Sequence, residues 1–166
     1  VWAPVQWPHK AIAAAARAAG VAAQAVEMNV PMLGGGFGRR LDADFVFQAV
    51  TIAAQAAGRP VHLLWTREQD LRHDFYRPAA TARLRAAIDS AGKVVALDMK
   101  VASDSVVQSS LSSADPARSE PPEPSKVGGL AYAIPAQRYR QVAVNAPVPI
   151  GSWRSVGASF DGFFVE

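Results

Sequence analysis

Three consecutive glycines, a phenylalanine, a fourth glycine and two arginines run from Gly34 to Arg40. Glycine tolerates positive φ and lets a ligand come close to backbone N–H groups. Such donors, followed by the start of a helix, form a cradle for an anion. Arg39 and Arg40 add fixed positive charge suited to phosphate or another oxyanion. The spacing is not GxGxxG, because the third glycine position falls on an arginine in most registers. Nor is it GxxxxGK[ST], because no Lys-Ser/Thr pair follows. The same residues also fit a tight strand-to-helix connection with two arginines in solvent. A second distinctive patch, Ser152-Trp153-Arg154-Ser155-Val156-Gly157, follows Pro147, Pro149 and Gly151 and opens an apolar helix. Other chemistry finds little support. His9, His62 and His73 fall in different elements without metal-ligand spacing. Asp70 and Asp74 flank His73 in a charged stretch where surface ion pairing is the ordinary role. No GxSxG elbow is present, and Phe45 and Phe47 follow a helical pattern rather than that of an RNA-binding strand. The chain has no cysteine, which excludes disulfides, thiolate metal sites, iron–sulfur ligation within it and a Cys nucleophile. That absence fits a reducing or an oxidising compartment, cytoplasmic or periplasmic.

The elements that must position these residues follow from local signals. His9 to Ala19 is alanine-rich and unbroken, and Gly20 closes it, so a helix of about three turns is predicted. Ala25 to Val30 alternates loosely and reads as a short strand ended by Pro31. After the glycine loop, Asp42 or Asp44 is placed to cap a helix running to Ala57, apolar on more than one face and so largely buried. Gly58-Arg59-Pro60 stops it, and Val61 to Trp65 reads as a strand. Arg67 to Arg77 is dense in charge and surface-like. Thr81–Ile88 and Val94–Ala102 flank Asp89-Ser90-Ala91-Gly92-Lys93, a hairpin turn by composition. Ser109 to Lys126 is a long Ser/Pro-rich loop, of a kind that is functional or disordered. A last strand spans Arg138 to Asn145. Strands and helices alternate irregularly, so the expected class is α+β, a mixed sheet with packed helices.

Composition bounds the rest. The 166 residues, half of them hydrophobic and 19% charged, suit one globular domain or a fragment of a larger subunit. About a fifth are alanine, well above ordinary usage, so the core must come from the larger apolar side chains. A net charge of +3 is no nucleic-acid footprint by itself. No apolar run approaches the ~18–20 residues of a membrane span. Residues alone therefore lead to an anion-binding loop, compatible with a non-catalytic anion- or nucleotide-binding module using Gly34–Arg40.

The order of the motifs goes further. Trp2-Ala3-Pro4-Val5-Gln6, Met32-Leu33-Gly34-Gly35-Gly36-Phe37-Gly38-Arg39-Arg40 and Gly58-Arg59-Pro60-Val61 come first. Trp65-Thr66-Arg67-Glu68-Gln69-Asp70, His73-Asp74-Phe75-Tyr76-Arg77-Pro78, Tyr132-Ala133-Ile134-Pro135 and Trp153-Arg154-Ser155-Val156-Gly157 follow. In content and order this resembles the molybdopterin-binding large subunits of the xanthine dehydrogenase/aldehyde oxidase family, most of all the isoquinoline 1-oxidoreductase β-subunit branch. The resemblance implies a molybdenum hydroxylase acting on an N-heteroaromatic or an aldehyde, with water as the oxygen source. It implies molybdopterin, as the cytosine dinucleotide, carrying molybdenum. It further implies [2Fe–2S] clusters on a separate small subunit that receives the electrons. By position it gives cofactor contacts to Gln6, Gly35, Gly36, Phe37, Gly38, Arg39 and Arg40, and places Arg154 beside the metal as a catalytic cation. The family's catalytic glutamate lies beyond these residues, so the chain is expected to be a fragment, inactive alone. Two departures bear on substrate. Leu41 stands where the purine-oxidising branch has a glutamate, and Ser155-Val156 replaces Gly-Phe in that branch's arginine patch. Purine is thereby disfavoured.

Overall fold

The computed structural model describes residues 1–106, 132–144 and 147–166. The Ser109–Lys126 loop and the predicted strand end at Asn145 lie outside the described residues. Four α-helices and one mixed three-stranded sheet occur among those described, which is the α+β class expected. The chain forms two compact units, Val1–Phe75 with Gly151–Arg154, and Tyr76–Ile150 with Ser155–Glu166.

The first unit is built on two helices. Helix α1 spans Pro8–Ala19. Pro8 suits its first turn, where a backbone N–H has no helical partner. Gly20 ends it at φ 69°, ψ 31° with its N–H returned to the Ala16 carbonyl, a left-handed cap that a residue with a Cβ adopts at a cost. Helix α2 spans Asp44–Ala54. The core between them is Ala3, Val5, Ala11, Ala14, Ala15, Ala43 and Val46, edged by Phe45, Phe47 and Val50. Five of these seven buried residues are alanine, so the core is not carried by the larger apolar side chains that composition predicted. Alanine on α1 lets the helices approach closely, and Phe45, Phe47 and Val50 of α2 pack only at its edge. Burial of α2 is narrower than expected: Val46 is its one buried residue, and Ile52 is 48% exposed. Neither aspartate caps it. Ala43 holds the N-cap position without a side-chain bond, because both carboxylates are engaged by cations, Asp42 by Lys10 and Asp44 by Arg39.

Two predicted strands of this unit do not form ladders. In the first, Ala23–Ala25 is a 3-10 turn, and only Asn29 pairs, in a single parallel bridge to Trp2. In the second, Val61 to Trp65 alternates between half-buried and exposed as a strand would, yet it pairs with no other strand among the described residues. Helix α3, Arg67–His73, is exposed throughout and starts with a capping box. Gln69 N–H donates to Thr66 Oγ1 at 3.3 Å, and Thr66 N–H donates to Gln69 Oε1 at 3.0 Å. Two orphan donors of the first turn are satisfied reciprocally.

The second unit centres on the sheet. Strands β1 (Ala80–Ile88) and β2 (Val94–Asp104) are antiparallel. Asp89 Oδ1 accepts from the N–H groups of Ala91 and Lys93 in the turn between them. Strand β3 (Ala136–Val144) runs parallel to β2 on its other side. Met99, Val101 and Ser103 of β2 are buried. In register with Met99 on β3 is Tyr139, whose hydroxyl donates to Asp161 on helix α4 (Ala158–Val165) at 2.9 Å.

Candidate functional site

The glycine loop adopts the backbone its composition anticipates, with one exception. Gly34, Gly35 and Gly38 have φ of 67°, 115° and 90°, and Phe37 joins them at 50°. A non-glycine residue in that region is strained and is held there by its surroundings. Gly36 has no such φ. Its requirement is space: a Cβ there would lie 2.3 Å from Gln6 Oε1. Gly38 combines both demands, since a Cβ at φ 90° would also lie 2.6 Å from the Ser152 carbonyl oxygen.

Gln6 is tied to this loop twice. Its backbone N–H donates to the Arg40 carbonyl at 2.8 Å, and its Oε1 accepts from the Gly38 N–H at 2.9 Å. A side chain that the sequence would equally allow on open surface thus lies across the loop, 32 residues away in sequence. The Gly151–Arg154 segment approaches from another direction. Gly151 permits contact with Phe75, where a Cβ would meet that residue's Cβ at 2.6 Å. The Trp153 indole N–H donates to the Phe75 carbonyl at 3.1 Å. These contacts fix the backbone from which Arg154 projects at an exposed position. Gln6, the glycine loop and Gly151–Arg154 are therefore gathered on one unit.

The two arginines behave differently from the expectation of free cationic charge. Arg39 forks onto Asp44, with its terminal nitrogens at 3.0 and 2.9 Å from the two carboxylate oxygens, and its Nε donates to Asp74. Its guanidinium lies 4.9 Å from the Phe75 ring centre and 5.9 Å from that of Trp65. Burial alone would lower its pKa, but the hydrogen bonds and charges of Asp44 and Asp74 outweigh it and raise the value. The charge of Arg39 is thus matched inside the protein by two carboxylates. Arg40 donates to the Pro4 and Leu33 carbonyls at 3.2 and 3.3 Å, bridging both ends of the loop's surroundings. Sequence reasoning missed Asp44 and Asp74 as loop anchors. It assigned the first to a helix cap and the second to the surface, whereas the Asp74 side chain is 17% exposed.

Beside Lys10, Asp42 is almost buried. Its Oδ1 takes the ammonium at 2.8 Å, while its Oδ2 has no hydrogen-bond partner among the described residues and would lie 3.2 Å from a Cβ on Gly151. A cleft of about 390 Å³ lies behind the arginine pair, lined by Trp2, Pro4, Arg39, Arg40, Phe45 and Leu63 among others. Among the described residues, no group of three or more His, Asp or Glu side chains is placed to hold a metal ion. None of their helices is long and apolar enough to cross a membrane.

Residues 1–166 match the molybdopterin cofactor-binding domain. The chain is 31% identical over 160 residues to the isoquinoline 1-oxidoreductase subunit β of Brevundimonas diminuta, covering 95% of this chain and 20% of that protein. It is 33% identical over 97 residues to a membrane-bound aldehyde dehydrogenase [pyrroloquinoline-quinone] of Gluconacetobacter polyoxogenes, covering 58% and 12%. It is 30% identical over 107 residues to the xanthine dehydrogenase of Emericella nidulans, covering 61% and 8%. The chain thus spans a fifth or less of the length of these relatives. With the match running over every residue, and the glycine loop lying among the segments whose order first suggested it, the chain belongs to the molybdopterin cofactor-binding domain family.

Proposed function

We propose that this chain supplies the glycine-loop wall of a molybdopterin site in an oxidoreductase that hydroxylates an N-heteroaromatic or aldehyde substrate. The observation that carries the reading is the contact of Gln6 with the Gly38 N–H across a loop that excludes a Cβ at Gly36 and Gly38. An anionic group needs backbone donors, and the Gly38 N–H, held here by Gln6 Oε1, would be released to one when that side chain turns away. When bound, the cofactor supplies the two-electron oxidation, with oxygen derived from water. Gln6, Gly35, Gly36, Phe37 and Gly38 would line it directly. The Gln6 amide is adaptable: its oxygen holds the Gly38 N–H, and rotation about its terminal torsion would present its NH₂ donors instead. Arg39 and Arg40 act by fixing the loop's course through Asp44, Asp74, Pro4 and Leu33. Arg154 provides a fixed cation beside the reacting substrate, where it would stabilise developing negative charge.

The finer reading assigns the cytosine dinucleotide form of the cofactor. It gives the electrons to [2Fe–2S] clusters on a small partner subunit. Leu41, Ser155 and Val156 argue against purine. The name of the Gluconacetobacter relative gives that protein pyrroloquinoline quinone instead, and metal analysis of the complete enzyme separates the two.

The test is Arg154→Met in the complete enzyme. Loss of an electrostatic partner to the transition state should lower kcat and kcat/KM together, by ~100-fold or more, with molybdenum content near wild type. Unchanged kinetics at full metal occupancy would refute the role of Arg154. Loss of molybdenum along with activity would make it a cofactor anchor.

A further inference from the structure

The three-stranded sheet carries a charge pattern that the proposed chemistry does not use. Register places Arg85, Asp98 and Arg138 in one row across β1, β2 and β3, and Arg83, Lys100 and Arg140 in the next. Side chains alternate along a strand, so Asp98 and Lys100 face away from the buried Met99 and Val101. All five cations are exposed. Asp98 serves two of them, accepting from Arg138 at 3.0 and 2.8 Å and from Arg140 at 3.1 and 2.8 Å. Arg83, Arg85 and Lys100 have no carboxylate partner among the described residues. Arg83, Arg85, Asp98, Lys100 and Arg140 line a pocket of about 220 Å³.

Like charges directly opposite one another on a sheet oppose folding, and the row Arg83–Lys100–Arg140 places three cations side by side. Five cations less one carboxylate leave +4 on this face, more than the +3 of the whole chain. Carboxylates from outside the sheet would neutralise this concentration of charge.

We infer that this face docks an acidic segment of a protein partner, whose carboxylates pair with Arg83, Arg85 and Lys100. The face is a two-row grid about 10 Å wide at ordinary strand spacing, and the recess on it is lined by charged side chains, unlike the apolar-lined sites of small molecules. The positions that continue it are Thr81, Ala87, Ala96, Ala102, Ala136 and Val142. They include no aromatic ring on which a nucleic-acid base could stack. The Brevundimonas relative is itself named as a subunit, so a protein partner is chemically in place there. The inference stands independently of the cofactor reading, since the sheet and the glycine loop belong to different units.

A fluorescein-labelled octaglutamate peptide, titrated with the complete enzyme by anisotropy, tests it. Saturable binding is expected at 20 mM salt, weakening at least tenfold by 300 mM. Arg83→Gln/Lys100→Gln should weaken binding at least tenfold. Arg59→Gln/Arg72→Gln, with the same change in net charge, should alter it less than twofold. Lys100→Gln alone should weaken binding while raising Tm, because it relieves the like-charge row. Absence of binding at low salt, equal loss in both double variants, or tighter binding of single-stranded DNA of the same length would overturn the inference.

Discussion

Replacing Gly38 by alanine should damage the loop far more than the same change at Gly36, although the clash distance at Gly36 is the shorter. At Gly38 the backbone stands at φ 90°, ψ −34°, which costs a residue bearing a Cβ about 1–3 kcal/mol. The new methyl would also lie 2.6 Å from the Ser152 carbonyl oxygen and 2.9 Å from its carbon. Both are main-chain atoms, and displacing packed neighbours costs about 1–3 kcal/mol more. Restricting the unfolded chain returns only ~0.4–1 kcal/mol, so the net loss is about 1–5.5 kcal/mol. At Gly36 the obstacle is Gln6 Oε1 at 2.3 Å, the free end of a flexible side chain. Gln6 swings away and one exposed hydrogen bond is lost, about 0.5–1 kcal/mol, largely offset by the same unfolded-state gain. Urea unfolding followed by tryptophan fluorescence measures both. Trp2, Trp7, Trp65 and Trp153 all belong to the unit that holds the loop. With a slope of about 2 kcal/mol per M, Gly38→Ala should shift the midpoint by about 0.5–2.8 M and Gly36→Ala by less than about 0.5 M. A Gly38→Ala shift below about 0.3 M, or a larger effect at Gly36, would refute this reasoning.

Two further outcomes follow from the ion pairs. Arg39→Lys keeps the charge but loses the fork onto Asp44 and the reach to Asp74. It should cost about 1–3 kcal/mol in the same urea assay, and Asp44→Asn in the Arg39→Lys background should add little if the pair acts as one unit. In the sheet, hydrogen bonds from Arg138, then Arg140, depress the Asp98 pKa from 3.8 to about 2. Because the folded value is the lower one, the stabilisation is present in full above pH 3.8 and is lost as pH falls through 2. A carboxyl NMR titration of Asp98 should have its midpoint near 2, and a midpoint near 4 would show the two arginines to be idle.

What was legible in the sequence was local. Pro8 and Gly20 fix the ends of α1 by their own backbone restrictions, and Asp89 to Lys93 closes its hairpin through a side chain reaching two to four residues on. The glycine loop was legible too, because positive φ at three of its glycines is a property of the residue type. Failures came where a partner decides the structure. Val61 to Trp65 has the composition and alternating burial of a strand, but a ladder requires a second strand that composition cannot supply. Asp44 and Asp74 read as a helix cap and a surface charge until folding brings Arg39 to both, from 5 and 35 residues away. Gly36 is a subtler case: its place in a glycine run implied positive φ, while its actual constraint is the side chain of Gln6.

The central claim, that the loop from Gly34 to Arg40 is the wall of a molybdopterin site, rests on Gln6 and Gly36 meeting where no side chain fits between them. Valine at Gly36 would put two branched methyls into that space. The direct measurement is molybdenum and pterin content of the complete enzyme, purified as wild type and as Gly36→Val, with circular dichroism to establish that the variant is folded. The account predicts molybdenum and pterin near one per chain in the wild type and a loss of at least tenfold in a folded variant. A folded Gly36→Val enzyme with wild-type molybdenum, or a wild-type enzyme that purifies without metal and pterin, would contradict it.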